Sequence, residues 1–241
     1  MTISLQQGRF SAAIARTGAE VAACQSLRQR LFQGRDGADA DRFDPLFHHA
    51  MLRNRQGDLI GTFRYRVYEN GPATKMSYTG QCYDMDGFST ITAPLVELGR
   101  FCAIGAASDP DLMRMAWGVL TAVVTQARAG HIFGCSSFPG TDPAPYAAAL
   151  AQLAARHQGP EALRPRAMGD HVSLRDVPGC GTTPLPPLLR SYVAMGGWVG
   201  DHLVIDQNLA RMHVFTCLDV AAVPPARARA LRALAQATAL A

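Results

Sequence analysis

Residues 95–104 read LVELGRFCAI, and the chain continues through Gly105 to the pair Asp109-Pro110. A short apolar run of this kind predicts a buried strand. Asp109 followed by Pro110 predicts a helix start, because Asp accepts the unpaired first-turn N–H groups and Pro fits the first helical position. Leu112, Met115, Ala116, Val119, Leu120 and Val123 then line one face of a helix ending near Gly130. Glu97 and Arg100 interrupt the strand, and burying either charge is costly unless it is paired. In a regular strand the two face opposite sides. Gly99 between them is a place for a bulge that would turn both to one side. On the residues alone, an internal ion pair, a water-facing edge strand and a functional pair all remain open.

Upstream, residues 20–32 carry Val21, Cys24, Leu27, Leu31 and Phe32 at helical spacing. An Asp-rich loop, RDGADADRFDP (35–45), precedes two strand-like runs, 48–54 and 59–68, read as a hairpin. Downstream come a short strand at 131–135 and an Ala-rich helix from Asp142-Pro143 to about residue 157. A Gly-, Pro- and Arg-rich stretch (158–183) holds one strand candidate at 171–176. A helix over 185–195 stops at Gly196-Gly197, strands follow at 198–205 and 213–220, and Pro224-Pro225 opens a terminal helix. The order predicts an α/β or α+β fold with a mixed sheet, residues 1–241 forming one domain.

The 241 residues are 48% hydrophobic and 17% charged, enough for a large core and too apolar for disorder. The most apolar candidate span, 115–124, is broken by Gly118 and Thr121, so no transmembrane helix is expected. The start, MTISLQQGRF, does not read as a secretory signal. Cys24, Cys82, Cys102, Cys135, Cys180 and Cys217 stand singly, which predicts reduced thiols in a cytoplasmic protein. A net charge of +4 is too small to argue for a nucleic-acid partner. GxSxG, Walker A, HExxH and GxGxxG patterns are all absent. His48 and His49 point to opposite faces of a strand, and His202 and His213 read as structural, so no metal site is expected and no cysteine is given a nucleophile's role.

Four pieces in order, LRQRLF (27–32), DADRFD (39–44), GTFRYR (61–66) and VELGRF (96–101), resemble the acyl-homoserine-lactone synthases and their relatives in the GNAT superfamily. Three later pieces, GCSSFPGTDP (134–143), PPLLRSYVAMGGWVGD (186–201) and HVFTCLDV (213–220), are similar to the bacterial ornithine N-acyltransferases. The resemblance implies a GNAT-like fold, a mixed and mostly antiparallel central sheet flanked by helices. It also implies transfer of an acyl chain, in that family a 3-hydroxyacyl chain, from acyl carrier protein to the α-amine of ornithine, the first step of ornithine-lipid synthesis. Glutamine or another amino acid stays open as acceptor. Signal synthesis on S-adenosylmethionine is the first alternative, and GCSSFPGTDP and GGWVGD count against it. A non-catalytic module binding acyl carrier protein or membrane is the second, and the presence of both Glu97 and Arg100 counts against that.

Many GNAT acetyltransferases follow this strand with a Gly-rich pyrophosphate loop, whereas here Gly105 is the single glycine before the helix. One phosphate could sit at the helix start. This favours acyl-phosphopantetheine delivered by the carrier protein, with no cofactor bound by the chain itself. Glu97 is the expected base, directly or through water, since the amine must lose a proton before attack. Arg100 or Arg28 would bind the amino acid's carboxylate. Asp41 and Asp44, matching the family's D-x-x-D, would hold a cationic side chain or order the loop. A backbone N–H near Phe101 or Cys102 would hold the oxyanion, and Ser136 and Ser137, placed after the 131–135 strand, would touch the pantetheine arm. Arg114, Arg164 and Arg166, with Arg156, would meet the acidic carrier protein. The terminal helix sets Leu231 and Leu234 beside Arg227, Arg229 and Arg232, a weak interfacial pattern for peripheral contact at the inner membrane face. The blander expectation is a solvent-exposed helix packed on the sheet.

Overall fold

A computed structural model describes residues 3–105 and 109–236. The chain runs β1 (Ser4–Gln7), β2 (Phe10–Ile14), α1 (Gly18–Gln33), β3 (His48–Arg53), β4 (Leu59–Tyr68), β5 (Tyr83–Asp84), β6 (Leu95–Ala103) and α2 (Pro110–Ala127). It continues through β7 (His131–Pro139), α3 (Ala147–Arg156), β8 (Arg166–Ala167), β9 (His171–Ser173), α4 (Pro187–Ala194), β10 (Trp198–Asp206), β11 (Arg211–Asp219) and α5 (Pro225–Gln236). The fold is mixed α/β, with mostly antiparallel sheet flanked by helices. Two compact units form: one takes in the chain up to Arg66, Leu98–Arg128 and Pro225 onward, the other Val67–Glu97 and Ala129–Pro224. β4 and β6 each give residues to both.

The first unit orders its strands β1-β2-β3-β4-β6. Its leading hairpin, with Gln7 opposite Phe10 and Gly8 at φ +59°, lies ahead of every element expected from the sequence. A capping box starts α1: the Glu20 N–H donates to Thr17 Oγ1 (3.2 Å) and the Thr17 N–H to Glu20 Oε2 (3.1 Å). Gly34, left-handed at φ 65°, ends it. As expected, Asp109 caps α2, accepting from the N–H groups of Asp111 (3.0 Å) and Leu112 (3.4 Å). On α5, Leu234 is buried against α2, where a Cβ on Gly118 would stand 2.8 Å from its Cδ2. The terminal helix thus packs through Leu234 on α2, not on the sheet as expected. No helix among the described residues is long and apolar enough to cross a membrane.

In the second unit the order is β7-β11-β10-β9, with β5 and β8 as a separate short ladder. β11 reads as a nearly continuous apolar run because both its faces are covered. Met212 and Val214 face a core with Leu150, Leu153 and Leu189 of α3 and α4, while Phe215 and Cys217 face a second core with Tyr83, Phe88 and Phe133. Between Val199 and Leu203 the β10–β11 register slips, and Tyr83 fills the gap. Its hydroxyl donates to the His213 carbonyl (2.8 Å) and accepts from the Phe215 N–H (3.1 Å). β7 runs on to Pro139, beyond the expected end at residue 135, because β11 pairs with it throughout. Ser136 and Ser137 therefore lie inside a strand, not after one. Residues 72–88, given no element from the sequence, form three 3-10 turns at Pro72–Met76, Thr79–Gln81 and Asp86–Phe88.

Candidate active site

In the first unit, three arginines and three aspartates interlock. Arg28, on the buried side of α1, places Nη2 2.8 Å from Asp44 Oδ2 and Nε 3.0 Å from Asp39 Oδ2, and also donates to the Asp39 carbonyl. Arg64 of β4 sets Nη1 2.7 Å from both Asp41 Oδ1 and Asp44 Oδ1, and Nη2 2.8 Å from Asp41 Oδ2. The Arg64 guanidinium also stacks 4.7 Å above the Phe47 ring. Arg100 reaches Asp41 Oδ2 at 3.1 Å and Asp39 Oδ1 at 3.3 Å. The Asp-rich loop thus folds over α1, β4 and β6 because buried guanidiniums need its carboxylates.

Burial alone would raise the Asp41 and Asp44 carboxyls. Hydrogen bonds and charge from Arg64 and Arg100 on Asp41, and from Arg28 and Arg64 on Asp44, outweigh it and hold both below the ordinary carboxylate range. Burial pushes the His49 imidazole below its ordinary value, against the Asp44 contacts that raise it. Its Nε2 lies 3.2 Å from the Asp44 carbonyl oxygen.

Arg28, Asp41, Asp44 and Arg100, each singled out from the sequence as a substrate-binding candidate, therefore lie in one ion-pair group. Arg64, Asp39 and His49 complete the group and were not singled out from the sequence. The bulge differs from expectation: the left-handed residue in β6 is Arg100, at φ 54°, and not Gly99. A non-glycine residue there costs about 1–3 kcal/mol, and the two carboxylates on its guanidinium hold it in place.

Glu97 belongs to the second unit and is 1% exposed. Its Oε1 accepts from the Thr79 N–H (2.7 Å) and hydroxyl (2.7 Å), its Oε2 from the Tyr68 hydroxyl (2.8 Å) and the Tyr78 N–H (3.3 Å). Burial raises its carboxyl above the ordinary value, and those four donors offset only part of the rise. The Cys135 thiol donates to Thr79 Oγ1 at 3.8 Å. Tyr68 ends the expected 59–68 strand but was not singled out there, and Tyr78 and Thr79 fall in residues 69–94, which show neither helical nor strand periodicity. An open cleft of about 420 Å³ adjoins this turn, lined by Lys75, Gly80, Asp84, Asp86, Arg166 and Met168 among others.

Elsewhere, the Phe101 ring packs on Phe63 (centroids 6.4 Å), and burial pushes the Cys102 thiol up to about 12. The Ser136 hydroxyl is buried 3.5 Å from Thr216 Oγ1, and Ser137 stands opposite His213. Arg114 pairs with Asp111 at 2.5 Å, Arg164 with Asp201 at 3.5 Å and Arg166 with Asp84 at 2.8 Å. At the α2 start, where the sequence left room for one phosphate, the Asp109 carboxylate already occupies two N–H groups, and Arg9 lies 2.5 Å from it. Residues 106–108 of that loop lie outside the described residues.

Residues 23–118 match the family described as acetyltransferase (GNAT) domain. The fold resembles an N-acyl amino acid synthase from uncultured soil microbes (TM-score 0.50, 12% identity, covering 96% of this chain and 99% of that one). The chain is an acyltransferase of GNAT-like fold. Within that class it is similar to the L-ornithine N(alpha)-acyltransferase of Rhodobacter capsulatus, 29% identical over 232 residues that cover 87% of this chain and 90% of the relative. The protein of the same name from Brucella abortus is 26% identical over 247 residues, covering 88% and 85%.

Proposed function

We propose that this chain, acting as a single acyltransferase domain, moves an acyl group from acyl carrier protein to the α-amine of ornithine. The observation that carries the acceptor and the reaction is its nearly full-length similarity to two proteins named L-ornithine N(alpha)-acyltransferase, and the carrier protein as donor is our extension of those names. Glu97 is assigned as the proton acceptor. An ammonium cannot attack a thioester, and a buried carboxylate with raised proton affinity is suited to taking its proton. The amine nitrogen then bonds to the thioester carbon, the C–S bond breaks, and the sulfur takes the nitrogen's second proton and departs as the thiol of the phosphopantetheine arm.

Arg100 is assigned to the substrate carboxylate and Asp41 to a cationic side chain, because they form the less buried edge of the ion-pair group. The Arg100 side chain is 11% exposed and Asp41 23%, against 1% for Arg28 and 4% for Asp44. Arg28 and Asp44 order the loop. The oxyanion is assigned to a backbone N–H near Phe101 or Cys102, and contact with the pantetheine arm to Ser136 and Ser137.

The test offers purified protein a long-chain acyl carrier protein thioester, or the matching coenzyme A thioester, with ornithine, glutamine or S-adenosylmethionine in separate reactions read by mass spectrometry. N-acylornithine formed faster from the carrier protein is the expected product. Acylation of glutamine alone would reassign the acceptor, and an acyl-homoserine lactone would reassign the reaction. For the carrier-protein surface, reversing Arg164 and Arg166 to Glu places like charges against Asp201 and Asp84. The expected outcome is a several-fold higher apparent KM for acyl carrier protein, larger at low salt, with the amino-acid KM unmoved. A donor KM unchanged at every salt concentration removes this surface from the contact.

A further inference from the structure

A carboxylate has about four acceptor positions, and at Glu97 protein donors occupy all of them. An amine therefore reaches this carboxylate by displacing a donor or by acting through one. Two of the four are backbone N–H groups, of Tyr78 and Thr79, which release no proton at neutral pH. The other two are the hydroxyls of Tyr68 and Thr79. A hydroxyl can accept a proton on oxygen while passing its own onward.

Two observations separate them. A phenol, with an ordinary pKa of about 10, stands closer to an amine than an alkyl alcohol does. Tyr68 also keeps 3% of its surface exposed, while Glu97 keeps 1% and Thr79 is fully buried. Among the described residues Cys135 also faces this cluster, and its contact with Cys82 and its burial hold its thiol well above the ordinary value, so it stays protonated.

We propose that Tyr68 is the proton relay of the transfer, its oxygen taking the proton of the acceptor amine as its own hydroxyl proton passes to Glu97 Oε2. One N–H bond and the original Tyr68 O–H bond break, and O–H bonds form on Tyr68 and on Glu97. The freed nitrogen lone pair attacks the thioester carbon, the C–S bond breaks as the nitrogen's second proton passes to the departing thiolate, Tyr68 ends as it began, and the proton on Glu97 leaves later to water. The relay rests on the assignment of Glu97 as acceptor.

Tyr68→Phe keeps the ring, whose centroid is 5.9 Å from that of Phe133, and removes only the hydroxyl. With the carrier-protein thioester and ornithine, kcat is expected to fall about 100-fold or more, with the ornithine KM near wild type and the protein still folded at a melting temperature lowered by the loss of one buried hydrogen bond. Site-specific 3-fluorotyrosine at position 68 preserves packing and makes the phenol more acidic. It is expected to shift the kcat–pH profile, which a merely packed ring would not do. Near-normal kcat for Tyr68→Phe, or a 3-fluorotyrosine profile superimposable on wild type, overturns the relay. Glu97→Gln in the same series separates the two assignments. An active Glu97→Gln enzyme removes the acceptor itself, whereas an inactive one beside an active Tyr68→Phe removes the relay alone.

Discussion

Asp44→Ala is expected to cost about 3–5 kcal/mol of folding stability, the range for removing one partner of a buried ion pair. Asp44 is 4% exposed in its side chain and holds Arg28 and Arg64 at 2.8 and 2.7 Å. It also accepts from Gln25 Nε2 and the Asp41 N–H, each at 3.1 Å. Its loss leaves two buried guanidiniums short of a carboxylate, and Arg64 is fully buried. Out of a typical total of about 5–15 kcal/mol, that loss is close to unfolding. The pH dependence has a definite sign. The folded Asp41 and Asp44 carboxyls lie below their ordinary values, so their contribution is present above the unfolded pKa of about 3.9 and is lost as pH falls through the folded values. Wild type should weaken in that acid range, and Asp44→Ala should weaken less there. Denaturant titration at neutral pH and at pH 3 measures both; a neutral-pH loss below about 1 kcal/mol would show that the arginines find other compensation.

Residues 95–127 were legible because their signals are local: an apolar run for β6, an Asp-Pro start and a one-sided apolar face for α2. Arg28, Asp41, Asp44 and Arg100 were legible as a group only through the order of short motifs, since ion pairing over 16 to 59 residues of chain leaves no periodic trace. Arg64 had a weak signal, a charge inside the strand GTFRYR at a position of the same parity as buried Thr62. The β1–β2 hairpin was legible and missed: Phe10, Ala12 and Ile14 alternate as buried residues after a two-residue Gly-Arg turn. Tyr68 was legible as the end of a strand but not as a partner of Glu97, and Thr79 was not legible at all. They matter because two 3-10 turns bring Thr79 to a carboxylate 18 residues away, and 3-10 turns have no strong hydrophobic period.

Glu97→Gln is expected to lower turnover by about two to four decades, the contribution of a positioned acid–base group, while the protein stays folded. The amide oxygen can keep both Thr79 donors on one side. On the other, the Tyr68 hydroxyl can rotate to accept from the new NH2 group, leaving the Tyr78 N–H at 3.3 Å as the bond that is lost. One lost hydrogen bond costs about 1–3 kcal/mol, and removing a buried charge offsets part of that. The stability–pH curve supplies an independent check. A carboxyl raised in the folded state contributes stability fully below its unfolded pKa, about 4.3, and that contribution disappears as pH rises through the folded value. The glutamine variant lacks this slope, so its advantage over wild type should grow across that window and then level. The wild-type rate should have its acidic limb above the ordinary carboxylate range, because a protonated Glu97 can take no further proton. Turnover of Glu97→Gln within tenfold of wild type, with the same acidic limb, would place the proton acceptor on another residue and leave Glu97 as the anchor of the Tyr78–Thr79 turn.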